Sequence, residues 1–268
     1  PIGNLSDASP RLVEHLVSSK FIAAEDTRSL LKLANALGIK LNARLFSLHE
    51  HNEGERIAQI LEIAGEDDVL VVSDAGMPTV SDPGFLLVRA AVKADIAVTI
   101  IPGPSAVLSA LAVSGLPTDR FTFEGFLPRK TGDRKKAFES LARESRTMVF
   151  FESPHRILES LEDAASVLGA ERQASVSREL TKKFEHTQRG TLPELVEWAK
   201  GEPKGEMVLV IAGAEAIEVK GEDLVQQVLA LIEDGIGLKQ AVAEIAGAAG
   251  AGKSELYQSV LEARKALR

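Results

Sequence analysis

The chain contains no cysteine, one tryptophan and one tyrosine, and aromatic residues make up only 4% of it. Without cysteine there are no disulfides and no thiolate metal sites, which fits a cytoplasmic location. So few aromatics argue against a single-strand-binding surface built throughout on base stacking. No apolar run approaches the roughly 20 residues of a membrane span, and no signal-peptide pattern is present. Excess positive charge is missing too. The net charge is -8, which argues against a generic electrostatic grip on nucleic acid, so an RNA partner would have to be met by local basic patches.

What is present is an ordinary globular balance, 45% hydrophobic and 26% charged over 268 residues, long enough for more than one domain. Short β-branched runs alternate with helical periodicities, the pattern of an α/β sheet. Strands are expected at Phe21 to Ala24, Leu45 to Leu48, Val69 to Val72 and Ile96 to Ile101. Helices are expected at Thr27 to Leu37, Glu53 to Ala64, Phe85 to Ala94 and Ser105 to Val113. Composition shifts at Gly115-Leu116-Pro117-Thr118, which sets a first domain at 1–116. A second α/β domain at 117–215 is expected to have a mixed sheet, because Gln173 to Ser177 and Phe184 to Gly190 alternate as an antiparallel pair does. Residues 219–268 read as three short helices. They resemble a helix-turn-helix module, or equally a small closing bundle, and six Lys/Arg against seven Asp/Glu do not separate the two.

Two Gly/Pro/Ser-rich corners follow apolar runs: Ser73-Asp74-Ala75-Gly76-Met77-Pro78 with Ser81-Asp82-Pro83-Gly84, and Ile101-Pro102-Gly103-Pro104-Ser105-Ala106. Ligands of open α/β sheets bind at the carboxyl ends of strands, so these corners are a candidate small-molecule site or else plain βα turns. Ala24-Glu25-Asp26-Thr27-Arg28 sits at another strand end, either as a helix cap on Asp26 or as acid and base groups at the same edge. His49-Glu50-His51-Asn52-Glu53 reads as a substrate-facing polar loop; no third histidine is near, so no metal is expected. Arg129, Lys130, Arg134, Lys135 and Lys136 form the strongest basic cluster, in a Gly-containing segment taken as flexible. Such a cluster is either a solvated face or a phosphate contact. Phe151-Glu152-Ser153-Pro154-His155-Arg156 and Arg178 to Lys183 close two further strands. Gly247 to Ser254 matches G-x-x-x-x-G-K-[ST] but lacks a preceding strand, so it reads as a turn between helices. No G-x-G-x-x-G follows any strand, against a dinucleotide fold.

Taken in order, Pro1 to Asp7, Ala24 to Arg28, His49 to Glu53, Ser73 to Gly84, Ile101 to Ala106, Phe151 to Arg156 and Arg178 to Lys183 resemble the signature segments of the ribosomal RNA small-subunit methyltransferase I family, within the tetrapyrrole-methylase superfamily. The resemblance covers about residues 1–213, and the tail is similar to that family's helical C-terminal domain. It implies two α/β domains of tetrapyrrole-methylase type with S-adenosylmethionine in the interdomain cleft, a small helical domain, and a homodimer. It implies 2′-O-methylation of a cytidine in small-subunit ribosomal RNA. Relatives run a strand into Pro-Ile-Gly-Asn, and that strand is missing here, so the first α/β domain is expected to lack its first strand. For the cofactor the resemblance implies Asp74, Ala75, Gly76, Met77, Ser105, Ala106, Phe151 and Glu152. Glu25 and His49 are the candidates for assisting proton loss. Arg28, Arg129, Lys130, Arg134, Arg178 and Lys182 are the candidates for RNA. The alternatives are a methyltransferase of this fold acting on a tetrapyrrole or protein side chain, and a non-catalytic RNA-binding assembly factor. The basic segment and helical tail favour RNA, and the intact Asp74-Ala75-Gly76-Met77 favours catalysis.

Overall fold

The computed structural model describes residues 1–49, 51–215, 221–249 and 251–266. Its first sheet is parallel, with β1 (Phe21–Ala24) between β2 (Arg44–Ser47) and β3 (Val69–Val72). The central strand is buried at Ile22, Ala23 and Ala24, as a strand covered on both faces must be. Helices α2 (Thr27–Ala36), α3 (Glu53–Ala64) and α4 (Phe85–Lys93) lie where their periodicity places them. Helix α1 (Pro10–Ser18) was not anticipated, although Ser9 accepts from the Leu12 N–H at its start and Pro10 opens the first turn.

One expected strand is absent. Ile96 to Ile101 belongs to no ladder, and Val98 and Ile100 are about half exposed. Its β-branched residues suit a strand, yet a strand exists only where a neighbour supplies the other half of each hydrogen bond. A groove of about 700 Å³ runs between the free edge of β3 and Ile96 to Pro104, with Pro1 on its lining.

The second sheet has the order β4-β5-β8-β6-β7, from β4 (Phe121–Phe126), β5 (Thr147–Glu152), β6 (Gln173–Arg178), β7 (His186–Thr191) and β8 (Met207–Ile211). Only β4 and β5 pair in parallel; the other ladders are antiparallel, so the sheet is mixed as expected. Alternate residues of β5 serve different cores. Met148 and Phe150 pack with Phe138, Leu161 and Leu195 from α6 (Thr131–Leu141), α7 (Ile157–Leu168) and α8 (Leu192–Ala199). Val149 packs with Val208 and Val210 against Val107, Ala110 and Leu111 of α5 (Ala106–Ser114), and against Ile2. A helix from the first α/β half thus closes the second sheet, and Pro1–Ala214 forms one compact unit holding both sheets. The boundary expected near 116 falls inside that unit, just after α5.

The second unit, Glu215–Arg268, contains α9 (Gly221–Glu233), α10 (Leu238–Ala249) and α11 (Lys253–Ala266) around Val228, Ala241, Val242 and Val260. Among its described residues the G-x-x-x-x-G-K-[ST] match runs from the end of α10 into the start of α11, with no strand before it.

Candidate active site

Parallel pairing brings the carboxyl ends of β1 and β3 side by side, and the residues just past them interlock. The Asp26 N–H donates to Asp74 Oδ1 at 3.2 Å, and the Asp74 N–H donates to Glu25 Oε2 at 3.0 Å. Each loop therefore holds the other, and two carboxylates stand at one point of the sheet edge. The turn after Asp74 needs a left-handed residue, which Gly76 supplies at φ 77°. There its N–H reaches the Pro1 carbonyl. The two Gly/Pro corners are neighbours in space: the Gly103 N–H donates to Met77 Sδ at 3.3 Å. Ser105 then caps α5, accepting from the Leu108 N–H, so Ala106 stands in the first helical turn.

The Ser81-Asp82 loop lies against this clasp. Burial pushes the Asp82 carboxyl up to about 6, and the charges of Glu25 and Asp74 push the same way, against a hydrogen bond from Ser73. Asp82 lies in a corner expected at the site but had no role of its own there, although Ser81-Asp82 repeats the Ser73-Asp74 pair eight residues on. Asp26 behaves oppositely. Hydrogen bonds from the Arg28 side chain and backbone hold it near 2, and that ion pair is open to solvent, with Arg28 83% exposed.

The His49 segment divides. Asn52 Oδ1 accepts from the His49 N–H at 2.8 Å and fixes the loop, leaving His49 Nδ1 buried without a hydrogen-bond partner. The His49 and His51 rings meet edge to face at 6.1 Å. Glu53 does not face substrate. It is buried and accepts from the Gly84 and Leu87 N–H groups, capping α4 where Gly84 offers no side chain. Position 50 lies outside the described residues.

At the second sheet β4, β5 and β6 all end on one edge. Phe151 is half-buried between Phe123 and Phe126, ring centroids 4.9 Å and 5.4 Å away. Glu152, expected at the cofactor, faces inward. It accepts from Ser160 Oγ at 2.6 Å and from the Ser153 N–H, with Arg156 at 3.5 Å. Buried carboxylates demand such partners, and its hydrogen-bonding capacity is used within the sheet edge.

The basic cluster separates as well. Arg129 and Lys130 are exposed, whereas Arg134 is completely buried on α6, 2.7 Å from Asp163 and 3.4 Å from Glu159. The helix expected over Lys135 to Ala142 begins already at Thr131, so this part of the segment is not flexible, and buried Arg134 is no phosphate contact. Lys182 is likewise committed, 3.0 Å from Glu179 and 2.8 Å from Glu206. Arg178 remains partly exposed and donates to the Lys204 carbonyl.

Residues 1–196 match the family model of the Tetrapyrrole (Corrin/Porphyrin) Methylases. A protein of Mycobacterium tuberculosis named Ribosomal RNA small subunit methyltransferase I is 47% identical over 267 residues, 99% of this chain and 93% of that one. Among solved structures, the methyltransferase CobJ superposes with a TM-score of 0.59 at 20% identity, covering 79% of this chain and 90% of that one. A uroporphyrin-III C-methyl transferase from Thermus thermophilus, solved with S-adenosyl homocysteine, gives 0.51 at 16% identity, covering 78% and 93%. The interlocked strand ends, the mixed second sheet, the family match over residues 1–196 and the 47% identity along nearly the whole chain agree: this chain belongs to the tetrapyrrole methylase family, in the branch of the ribosomal RNA small subunit methyltransferase I proteins.

Proposed function

We propose that this protein methylates the ribose 2′-oxygen of a cytidine in small-subunit ribosomal RNA, using S-adenosylmethionine. The observation that carries this reading is the Glu25–Asp74 clasp joined through Met77 to the Gly103 turn, one wall built from two strand-end loops. A wall lined by the Glu25 and Asp74 carboxylates suits a cofactor that carries an ammonium, a sulfonium and ribose hydroxyls. Asp74, Ala75, Gly76, Met77, Ser105 and Ala106 would hold it, with Phe151 as the apolar side from the second sheet. Glu152 supports that side from behind, through Ser160 and Arg156. When bound, the cofactor supplies an electrophilic methyl group.

The chain's own residues must align the ribose and take its hydroxyl proton. Asp82 is suited to take it, because a carboxylate with a pKa near 6 is a stronger base than an ordinary one and is still ionised at neutral pH. Glu25 fixes the loop, and its charge raises the proton affinity of Asp82. His49, with a free buried nitrogen, is the second group to test. Exposed Arg28 is placed to orient a phosphate. RNA rather than a tetrapyrrole is favoured by the relatives at 47% identity, since the corrin and porphyrin enzymes share only the fold. We infer a homodimer working in the cytoplasm, which sedimentation of the purified protein and cell fractionation test.

Methyl transfer from labelled cofactor to assembled small subunits and to naked ribosomal RNA, with the labelled nucleotide mapped, is the decisive assay. A 2′-O-methylcytidine is expected. Cofactor binding without label in either substrate would leave the RNA reading untenable. Asp74→Ala is expected to weaken cofactor binding by about tenfold or more, as loss of a charge-assisted contact does. Calorimetry with S-adenosylmethionine reads this directly.

A further inference from the structure

The end of β4 is built in an unusual way. Phe123 and Phe126 are three residues apart, so in a regular strand they would point to opposite faces. The β4–β5 register slips between Phe123 and Gly125: Phe123 pairs with Val149, Gly125 with Phe150 and Phe126 with Phe151. Gly125 takes φ 71°, a conformation that side chains resist. This bulge turns Phe126 onto the face of Phe123 and Phe151, where Phe151 meets Phe123 edge to face and Phe126 at a tilt. Bulges are a recurrent means of re-aiming a side chain beside a site.

The re-aimed ring is not buried by the move. Phe126 remains 63% exposed, among the most exposed large apolar side chains in the chain. The backbone beneath it is pinned. Arg156 donates to the carbonyls of Leu127 and Pro128, both at 2.8 Å, and buried Arg134 donates to that of Arg129. That pinned segment presents Arg129 and Lys130 to solvent, and neither makes an ion pair among the described residues. The Asp82 loop is adjacent, for a Cβ on Gly125 would lie 3.9 Å from Ser81 Oγ.

We propose that Phe126 is the stacking platform for an unstacked nucleobase of the RNA acceptor, with Arg129 and Lys130 taking the flanking phosphates. The proposal rests on the RNA reading above and gives it an acceptor subsite. A rigid exposed ring backed by other rings and flanked by unpaired cations matches how proteins hold single-stranded RNA. The cations stand out against an overall charge of -8, which favours a polyanion over an apolar protein surface at this spot.

The test uses the full chain, with a cytidine-containing single-stranded oligoribonucleotide as the binding probe and assembled small subunits as the methyl acceptor. Phe126→Ala is expected to weaken RNA binding roughly 5- to 150-fold, the range for loss of one base–aromatic stack. It should leave S-adenosylmethionine affinity and sedimentation unchanged. Phe126→Trp should restore binding, and Phe126→Leu should not. Arg129→Ala should lower the slope of log affinity against log salt by about one. Wild-type RNA binding in Phe126→Ala overturns the proposal. So does rescue by Phe126→Leu together with a changed oligomeric state, which would make the ring a protein contact. A wild-type protein that binds cofactor but labels no RNA defeats the functional reading instead, and the binding probe still judges the platform separately.

Discussion

Arg134, Lys182 and Glu152 are charged groups whose side chains are taken up by partners within the fold. Arg134 looks like its neighbours Arg129 and Lys130, but it shares a helical stripe with Phe138 and Leu141 and pairs with Asp163 of the next helix. The i, i+4, i+7 spacing was visible, and it marked an inward position. The partner was not visible, because only the packing of α6 on α7 supplies it. Lys182 pairs with Glu206 across the sheet edge as well as with nearby Glu179, whereas the partners of Glu152 are local, at Ser153, Arg156 and Ser160. Asp82 was hidden differently, since its chemistry comes from burial and from two carboxylates on other segments. Its raised pKa has a consequence for stability. A carboxyl whose folded pKa stands near 6 against an ordinary 3.8 contributes stability that is full below about pH 4 and is lost as pH rises through about 6. Asp82→Asn removes that loss. The variant is expected to be more stable than the parent at pH 8, by about 1 kcal/mol after allowance for solvent screening, and to show no gain at pH 4. Its methyl transfer should fall while cofactor binding holds. Denaturant titrations at the two pH values check the first point. A variant less stable at pH 8 would show that Asp82 is structural.

At the scale of elements, most helices and strands of the first unit were legible, because periodicity, caps and apolar runs agree there. The exception is instructive. Ile96 to Ile101 carries as strong a β-branched signal as Val69 to Val72, yet only the latter pairs. Propensity reports what fits a pleated surface, and pairing depends on what lies alongside. The bulge in β4 was hidden for the same reason, since a slipped register is a property of two strands. Hydrogen exchange separates the two segments. The amides of Val98 to Ile101, outside any ladder, should exchange at least about a hundredfold faster than those of Ile22 to Ala24 in the buried central strand. Equal protection would mean that Ile96 to Ile101 pairs in solution.

For the whole molecule, the sequence showed two α/β halves and a helical tail but not how the halves share a core. Val107, Ala110 and Leu111 were readable as one apolar helix face, and Val149, Val208 and Val210 as the hidden face of strands. Nothing in either pattern says that they meet. Because they do, the first 214 residues form a single unit, and unfolding one sheet uncovers the helix that closes the other. The tail has its own apolar core in Val228, Ala241, Val242 and Val260. Every residue assigned to the cofactor lies between 74 and 152, inside the first unit. A chain ending at Ala214 is therefore expected to fold, to melt in one cooperative transition, and to bind S-adenosylmethionine within about threefold of the full protein, a difference under about 0.7 kcal/mol. Calorimetric titration and thermal melting of the shortened chain decide it. Two separate transitions would show that the halves do not share a cooperative core, and a tenfold loss of affinity would bring the helical unit into the cofactor site.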